Sequence, residues 1–159
     1  SIKRISTIFE ANGTDPSKLI LEGASPHIEF LARYNDVDIA LDPFPYSGGL
    51  TTLEAMWMGV PVVTVPGETF ASRHSLSYIS TIGLQELVAR DEDEYVELAT
   101  ELANNMDKVA RLRSRLRDKV AKSAICDCKK FAAEFSKIMR GIWRDWCLSQ
   151  DSKNRLSSQ

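Results

Sequence analysis

The chain has 159 residues and a mass of 17.8 kDa, the length of one ordinary domain at ~150 residues per domain. With 43% hydrophobic, 26% charged and 8% aromatic residues it is composed like a globular protein, which excludes a disordered tail, a collagen-like repeat and a disulfide-knotted miniprotein. Twenty basic against twenty-two acidic side chains leave a net charge of −2, no global sign of nucleic-acid or membrane binding, and no apolar run approaches the ~20 residues that span a bilayer.

The opening Ser1 to Ile5 is too polar and too soon interrupted for a signal peptide. A first β-rich run covers Lys18 to Leu21, and helical spacing follows through Ile28, Leu31, Ala32 and Asn35. A second run, Val37 to Leu41, ends at Asp42. Leu53, Met56, Trp57 and Val60 then stand at i, i+3, i+4 and i+7, the apolar stripe of a helix. The runs Pro61 to Val65 and Glu86 to Ala89 flank a third helix through Leu76, Ile79 and Ser80, which Gly83 stops. Continuous apolar runs alternating with helices predict an α/β fold, a parallel sheet covered on both faces.

After Asp91 the strand signals cease. Asp91 to Glu94 place acids in the first turn of an amphipathic helix, where the macrodipole favours them. A basic stretch from Lys108 to Lys122 follows, with Val109, Leu112, Leu116 and Val120 at helical spacing. Its Lys108, Arg111, Arg113, Arg115, Arg117, Lys119 and Lys122 read as a solvated helix face rather than a nucleic-acid or lipid site. A last helix runs from about Asp127 to Cys147, with a core-facing seam of Phe131, Phe135, Trp143 and Trp146, and a polar tail frays from Ser149. Cys126, Cys128 and Cys147 are an odd set, two of them only two apart, which points to a reducing, cytoplasmic compartment and not to a zinc site.

The segment richest in chemistry runs from Leu41 to Ala55. Pro43 and Pro45 end the strand ladder, and Gly48 and Gly49 lie just before the striped helix. A helix N-terminus offers free N–H donors and positive partial charge, and glycines let an anion approach the backbone. Thr51 and Thr52 add hydroxyls, and Glu54, one turn in, is placed to accept from ribose hydroxyls. The alternative is a plain turn with Thr and Glu as capping devices, and spacing does not separate the two. No Gly-Lys-Ser/Thr follows the glycines, so this is not a P-loop.

The runs Asp38 to Tyr46, Gly48 to Thr64 and Pro66 to Arg73 resemble the protein O-GlcNAc transferase family, with its SPINDLY-like plant and bacterial branches, and the resemblance extends over roughly residues 5 to 145. It implies the donor-side, C-terminal part of a GT-B glycosyltransferase, from a parent with tetratricopeptide repeats ahead of two Rossmann-like domains. Residues 1–106 would be a partial nucleotide-sugar-binding domain with an incomplete parallel sheet, 107–148 a C-terminal helical extension, and 149–159 the tail. The donor would be a UDP-sugar, UDP-GlcNAc in most members, bound without a metal or other cofactor. By position, Gly48, Gly49, Leu50, Thr51 and Thr52 match the diphosphate-binding turn, Glu54 the acid on the ribose, and Ser25 and His27 the loop that meets the uracil.

Four positions depart from common family patterns. Gly49 stands where many members have a histidine, Leu50 replaces a threonine, Phe30 replaces a frequent histidine, and Glu54 matches the SPINDLY-like and bacterial pattern rather than the animal aspartate. The resemblance implies no general base in this chain, since the acceptor-side domain and an essential lysine belong to upstream sequence. Protein acceptors would be met by that half, on which the final helix packs in the family; the chain alone would be inert, with some of the seam aromatics exposed or packed against a second copy. The other reading is a catalytically silent module for oligomerisation or partner binding. A strand order of 3-2-1-4-5-6 would leave this partial sheet with an open edge, through which a homodimer is expected.

Overall fold

A computed structural model describes residues 2–156, with side chains through 150. The backbone divides into two compact units, 1–32 and 33–159.

The first unit opens on α1 (Ile2–Ala11), whose Ile2, Ile5, Ile8 and Phe9 recur at helical spacing and are all exposed. Asp15 caps a 3-10 turn at Pro16–Lys18 by accepting from the Ser17 N–H, and this holds the Asp15 carboxyl below its ordinary pKa. Lys18 to Leu21 therefore does not form the expected strand. Lys18 closes the 3-10 turn, Leu19 caps it, and Ile20 is 86% exposed with no ladder partner. The chain continues irregularly to α2 (His27–Arg33), which carries it into the second unit.

The second unit is mostly helical around a small parallel sheet. β1 (Ala40–Leu41) pairs with β2 (Val62–Val63) in the register Ala40 to Val62 and Leu41 to Val63. Beyond β2, Thr64 makes a single parallel bridge to Val88. The run 86–89 thus shrinks to a bridge, because Gln85–Leu87 is a 3-10 turn that leaves only Val88 extended. Between the strands lies α3 (Leu50–Trp57), which buries Thr52, Ala55 and Met56. Trp57, expected in the apolar stripe, is 43% exposed; the Arg117 guanidinium lies 5.4 Å from its ring and its Nε donates to the Trp57 carbonyl at 2.7 Å. Gly59 ends this helix at φ +85°, with the Arg113 carbonyl 3.3 Å from where a Cβ would stand.

α4 (His74–Thr81) buries Ser75 and Ile79 and stops before Gly83, whose φ is +70°. α5 (Glu92–Ala103) begins as expected, with the Asp91 side chain accepting from the Glu94 N–H. α6 (Met106–Ala121) buries Val109, Leu116 and Val120 and packs against α3 and α5, closing the core over Met56, Val63, Ile79 and Leu102. The last helix, α7 (Cys128–Leu156), continues past Ser149, where a frayed tail is expected; 157–159 lie outside the described residues. Its aromatic seam is not core-facing within this unit. Phe131, Phe135, Trp143 and Trp146 are 52–66% exposed and stack in neighbouring pairs, Phe131 on Phe135 and Trp143 on Trp146. Among the described residues no helix is long and apolar enough to cross a membrane, and the three cysteines are unpaired.

Candidate functional site

The chain leaves β1 at Asp42, in the direction that carries it out of the carboxyl end of the sheet. Asp42 is 3% exposed and its two carboxylate oxygens accept from three donors. Oδ1 takes the Gly48 N–H at 2.7 Å, while Oδ2 takes the Ser47 hydroxyl at 2.8 Å and the Thr64 hydroxyl at 2.7 Å. One buried acid therefore ties the end of β1, the residue after β2 and the glycine turn into a single knot. A buried carboxylate is tolerated only when its lone pairs are filled this way.

The second knot is Ser75, in the first turn of α4. Its N–H donates to the Ser47 Oγ at 3.0 Å, its hydroxyl donates to the Gly48 carbonyl at 3.3 Å, and the same hydroxyl lies 2.9 Å from that of Thr52. Gly48 is thus held from both sides. A Cβ there would stand 2.5 Å from the Thr52 hydroxyl and 3.1 Å from the Asp42 carboxylate, so glycine is required by close approach. At Gly49 a Cβ would meet nothing within 4 Å.

Two tyrosines brace the outside of the turn. Tyr34 donates to the Thr51 carbonyl at 3.1 Å, and Tyr95 donates to the Asp42 carbonyl at 3.0 Å while its ring meets Phe44 edge-on at 5.9 Å. Burial raises the pKa of both phenols above its ordinary value, with Glu54 adding to the rise at Tyr34 and Asp42 at Tyr95.

Against this frame Gly49 is the N-cap of α3 with no side-chain cap, so the first N–H groups of the helix are left to an outside acceptor. Leu50 is 69% exposed. Thr51 is exposed and Glu54 half-buried. Thr52 differs from its neighbours: it is buried, with its hydroxyl turned inward to Ser75, so its part is to fix the helix start. Tyr34, Asp42, Gly48, Thr51 and Thr52 line a cavity of about 130 Å³, less than half the ~300 Å³ at which small-molecule pockets begin.

Ser25 and His27 lie in the first unit, Ser25 exposed in the segment before α2 and His27 exposed as its first residue. His74, at the start of α4, packs edge-on against Phe70 and Tyr46, and its buried Nδ1 has no hydrogen-bond partner among the described residues. No group of three or more His, Cys, Asp and Glu among the described residues is placed to hold a metal ion. Spacing alone misses Asp42, Ser47, Thr64, Ser75 and Tyr34. An acid closing an apolar strand just before two prolines is the one signal that marks Asp42 in the sequence.

A family model described as Glycosyl transferase family 41 matches residues 2–135. A Solanum lycopersicum protein described as a probable UDP-N-acetylglucosamine–peptide N-acetylglucosaminyltransferase, SPINDLY, is 40% identical over 146 residues, covering 91% of this chain and 16% of that protein. The Caenorhabditis elegans UDP-N-acetylglucosamine–peptide N-acetylglucosaminyltransferase is 30% identical over 132 residues, covering 83% of this chain and 12% of its own length. A solved structure of a mutant Thermobaculum terrenum O-GlcNAc transferase superposes with a TM-score of 0.87 at 41% identity, over 93% of this chain and 28% of that one.

Proposed function

The chain belongs to glycosyl transferase family 41, and from that premise we propose that it forms the donor-side part of an enzyme that moves GlcNAc from UDP-GlcNAc to serine or threonine of proteins. The chain spans 16% of the first relative's length, and in this reading the activity belongs to the longer enzyme while the chain alone is inert. The observation that carries the reading is the turn from Gly48 to Leu50, locked by Asp42 and Ser75 at the exit of β1 and opening uncapped into α3. Ligands of open α/β sheets bind outside the carboxyl ends of the strands, and a helix N-terminus there suits a diphosphate.

In this reading the N–H groups of Gly49, Leu50 and Thr51 and the Thr51 hydroxyl hold the diphosphate. They stabilise the charge that grows on it as the sugar departs, in place of a metal ion. Glu54 accepts from the ribose hydroxyls; Ser25 and His27, in the first unit, are assigned to the uracil by the family resemblance alone. The general base and the protein acceptor come with the other half of the enzyme. Glu54, which matches the SPINDLY-like and bacterial pattern, supports a place outside the animal branch, and an odd set of three cysteines, two of them only two apart, supports a cytoplasmic setting. Pairing through the free edge of β1, beside the exposed Leu41, gives a homodimer; sedimentation showing only monomer at high concentration overturns that.

Calorimetric titration of the chain with UDP tests the site. Binding is expected, weakened roughly tenfold or more by Glu54→Ala, which removes a hydrogen bond to a charged group, and a few-fold by Thr51→Val. Absence of binding at millimolar UDP overturns the donor-site reading and leaves a silent module.

A further inference from the structure

Lys108, Arg111, Arg115 and Lys119 stand at i, i+3, i+7 and i+11 of α6, along about 16 Å of one face at 1.5 Å per residue. As spacing this is a solvated stripe. In the structure all four line a concavity of about 350 Å³ between α6 and the turn that follows α4. Leu84 and Leu112 share the lining, which carries a single carboxylate, Glu86.

The outer two cations are tethered. Lys108 Nζ pairs with Glu101 at 2.8 Å, and Lys119 Nζ donates to the Ile82 carbonyl at 3.3 Å, a carbonyl at the C-terminal end of α4. The inner two, Arg111 and Arg115, lie one turn apart, and neither side chain has a hydrogen bond or ion pair among the described residues. The groove therefore has pinned ends and two unused guanidinium forks between them.

We propose that this groove docks an acidic polypeptide segment whose carboxylates pair with Arg111 and Arg115. A guanidinium fork matches a carboxylate with two parallel hydrogen bonds. Carboxylates one helical turn apart, or two residues apart in an extended chain at ~6.6 Å, match the spacing of guanidiniums at i and i+4. Concavity selects among polyanions. A single chain enters such a groove, whereas a flat bilayer or a rigid duplex does not follow it. Glu86 opposes an unbroken run of phosphates, while Leu84 and Leu112 accept apolar side chains placed between acids. The groove is also independent of the glycine turn, since Ser75 holds that turn at the start of α4 and Gly83 follows the end of the same eight-residue helix.

Fluorescence anisotropy with a labelled peptide of alternating glutamate and leucine tests the proposal. Saturable binding is expected, falling as salt approaches about 0.5 M, where screening shortens to a few ångströms. Arg111→Glu/Arg115→Glu weakens it at least about tenfold, as losing close charge pairs does. The same charge change on α7, Arg140→Glu/Arg144→Glu, leaves it within about twofold. Should the reversal lower the melting temperature, Arg111→Gln/Arg115→Gln, neutral and long-stemmed, must give the same loss in a folded chain. The proposal is overturned by no binding, by equal losses in the α6 and α7 variants, or by tighter Arg111-dependent binding of phosphatidylserine vesicles or a single-stranded oligonucleotide. UDP titration of the α6 variant stays as in the parent chain, which separates failure here from failure of the donor site.

Discussion

Removing the Asp42 carboxylate is the sharpest single perturbation of the site. The side chain is 3% exposed and serves three donors, two hydroxyls and the Gly48 N–H. Hydrogen bonds to a charged group contribute about 1.5–3 kcal/mol each, so simple addition over three gives about 4.5–9 kcal/mol. That sum is an upper bound. The Ser47 and Thr64 hydroxyls rotate toward other acceptors, whereas the Gly48 N–H is fixed by the turn and stays orphaned. Asp42→Ala is therefore expected to destabilise by about 3–5 kcal/mol, below that sum, with about 1–3 kcal/mol of it from the orphaned Gly48 N–H. Asp42→Asn keeps an acceptor for Gly48 and offers the two hydroxyls an NH₂ from which they accept, so its loss is about 1–2 kcal/mol. For a chain of this size the alanine variant melts about 6–20 °C lower. Urea denaturation and UDP titration of both variants provide the check. Asn is expected to retain UDP binding that Ala loses. Equal destabilisation by the two, or an alanine variant within about 0.5 kcal/mol of the parent, refutes the idea that the Gly48 N–H is the group at stake.

The two glycines should separate stability from binding. Gly48→Ala is expected to destabilise by about 1–3 kcal/mol through the 2.5 Å approach to Thr52, whereas Gly49→Ala stays within about 0.5 kcal/mol, measured by thermal melts. Ser75→Ala removes the contacts to Thr52 and the Gly48 carbonyl but leaves the Ser75 N–H on Ser47, for a loss of about 1–2 kcal/mol; in a cycle with Asp42→Asn the two effects should miss additivity by at least about 0.5 kcal/mol. Tyr34 and Tyr95 have folded pKa values raised by burial, so their stabilisation is fully present below the ordinary tyrosine pKa of ~10 and is lost as pH rises through the folded values. Absorbance titration should show these two phenols ionising above the ordinary tyrosine range, and Tyr34→Phe or Tyr95→Phe should each remove part of the alkaline loss of stability.

Much of the fold is legible because apolar side chains repeat. The spacings of Leu53 and Met56, of Ile79, and of Val109, Leu112, Leu116 and Val120 locate α3, α4 and α6, and Gly83 and Asp91 mark an end and a start that the structure keeps. α1 carries the same signal in Ile2, Ile5, Ile8 and Phe9. Strands are less legible, since a β-rich run becomes a ladder only where a neighbour accepts it. Lys18 to Leu21 has none, and Glu86 to Ala89 is taken over by a 3-10 turn. The aromatic seam of α7 shows the complementary limit: periodicity says that a face is apolar, not what covers it. In the candidate site the glycines, Thr51 and Glu54 stand out as a local string. The residues that hold them do not, because Thr64 reaches Asp42 across 22 positions and Ser75 reaches Ser47 across 28. A buried polar contact over such separations has no period to read.

Those long-range polar contacts explain how so small a sheet can present an ordered turn. Two residue pairs between β1 and β2 fix the exit point of the chain but not the path beyond Asp42, and the prolines that follow remove two N–H donors from any further ladder. Apolar packing does not supply the missing order either. α3 is seated on the core through Ala55 and Met56, about two turns downstream of the glycines, and a helix held there leaves its first residues free to fray. Order at Gly48 comes instead from its two flanking peptide groups, the N–H bound by Asp42 and the carbonyl by Ser75. With both engaged, the next N–H groups in sequence are the uncapped ones of α3, fixed in direction before any ligand arrives. Preorganised donors of this kind require no rearrangement to meet an anion, which is the condition under which backbone amides stabilise developing charge effectively. The polar knot beneath the turn thus sets the geometry at its surface, and substitutions inside it should alter ligand affinity without touching the ligand.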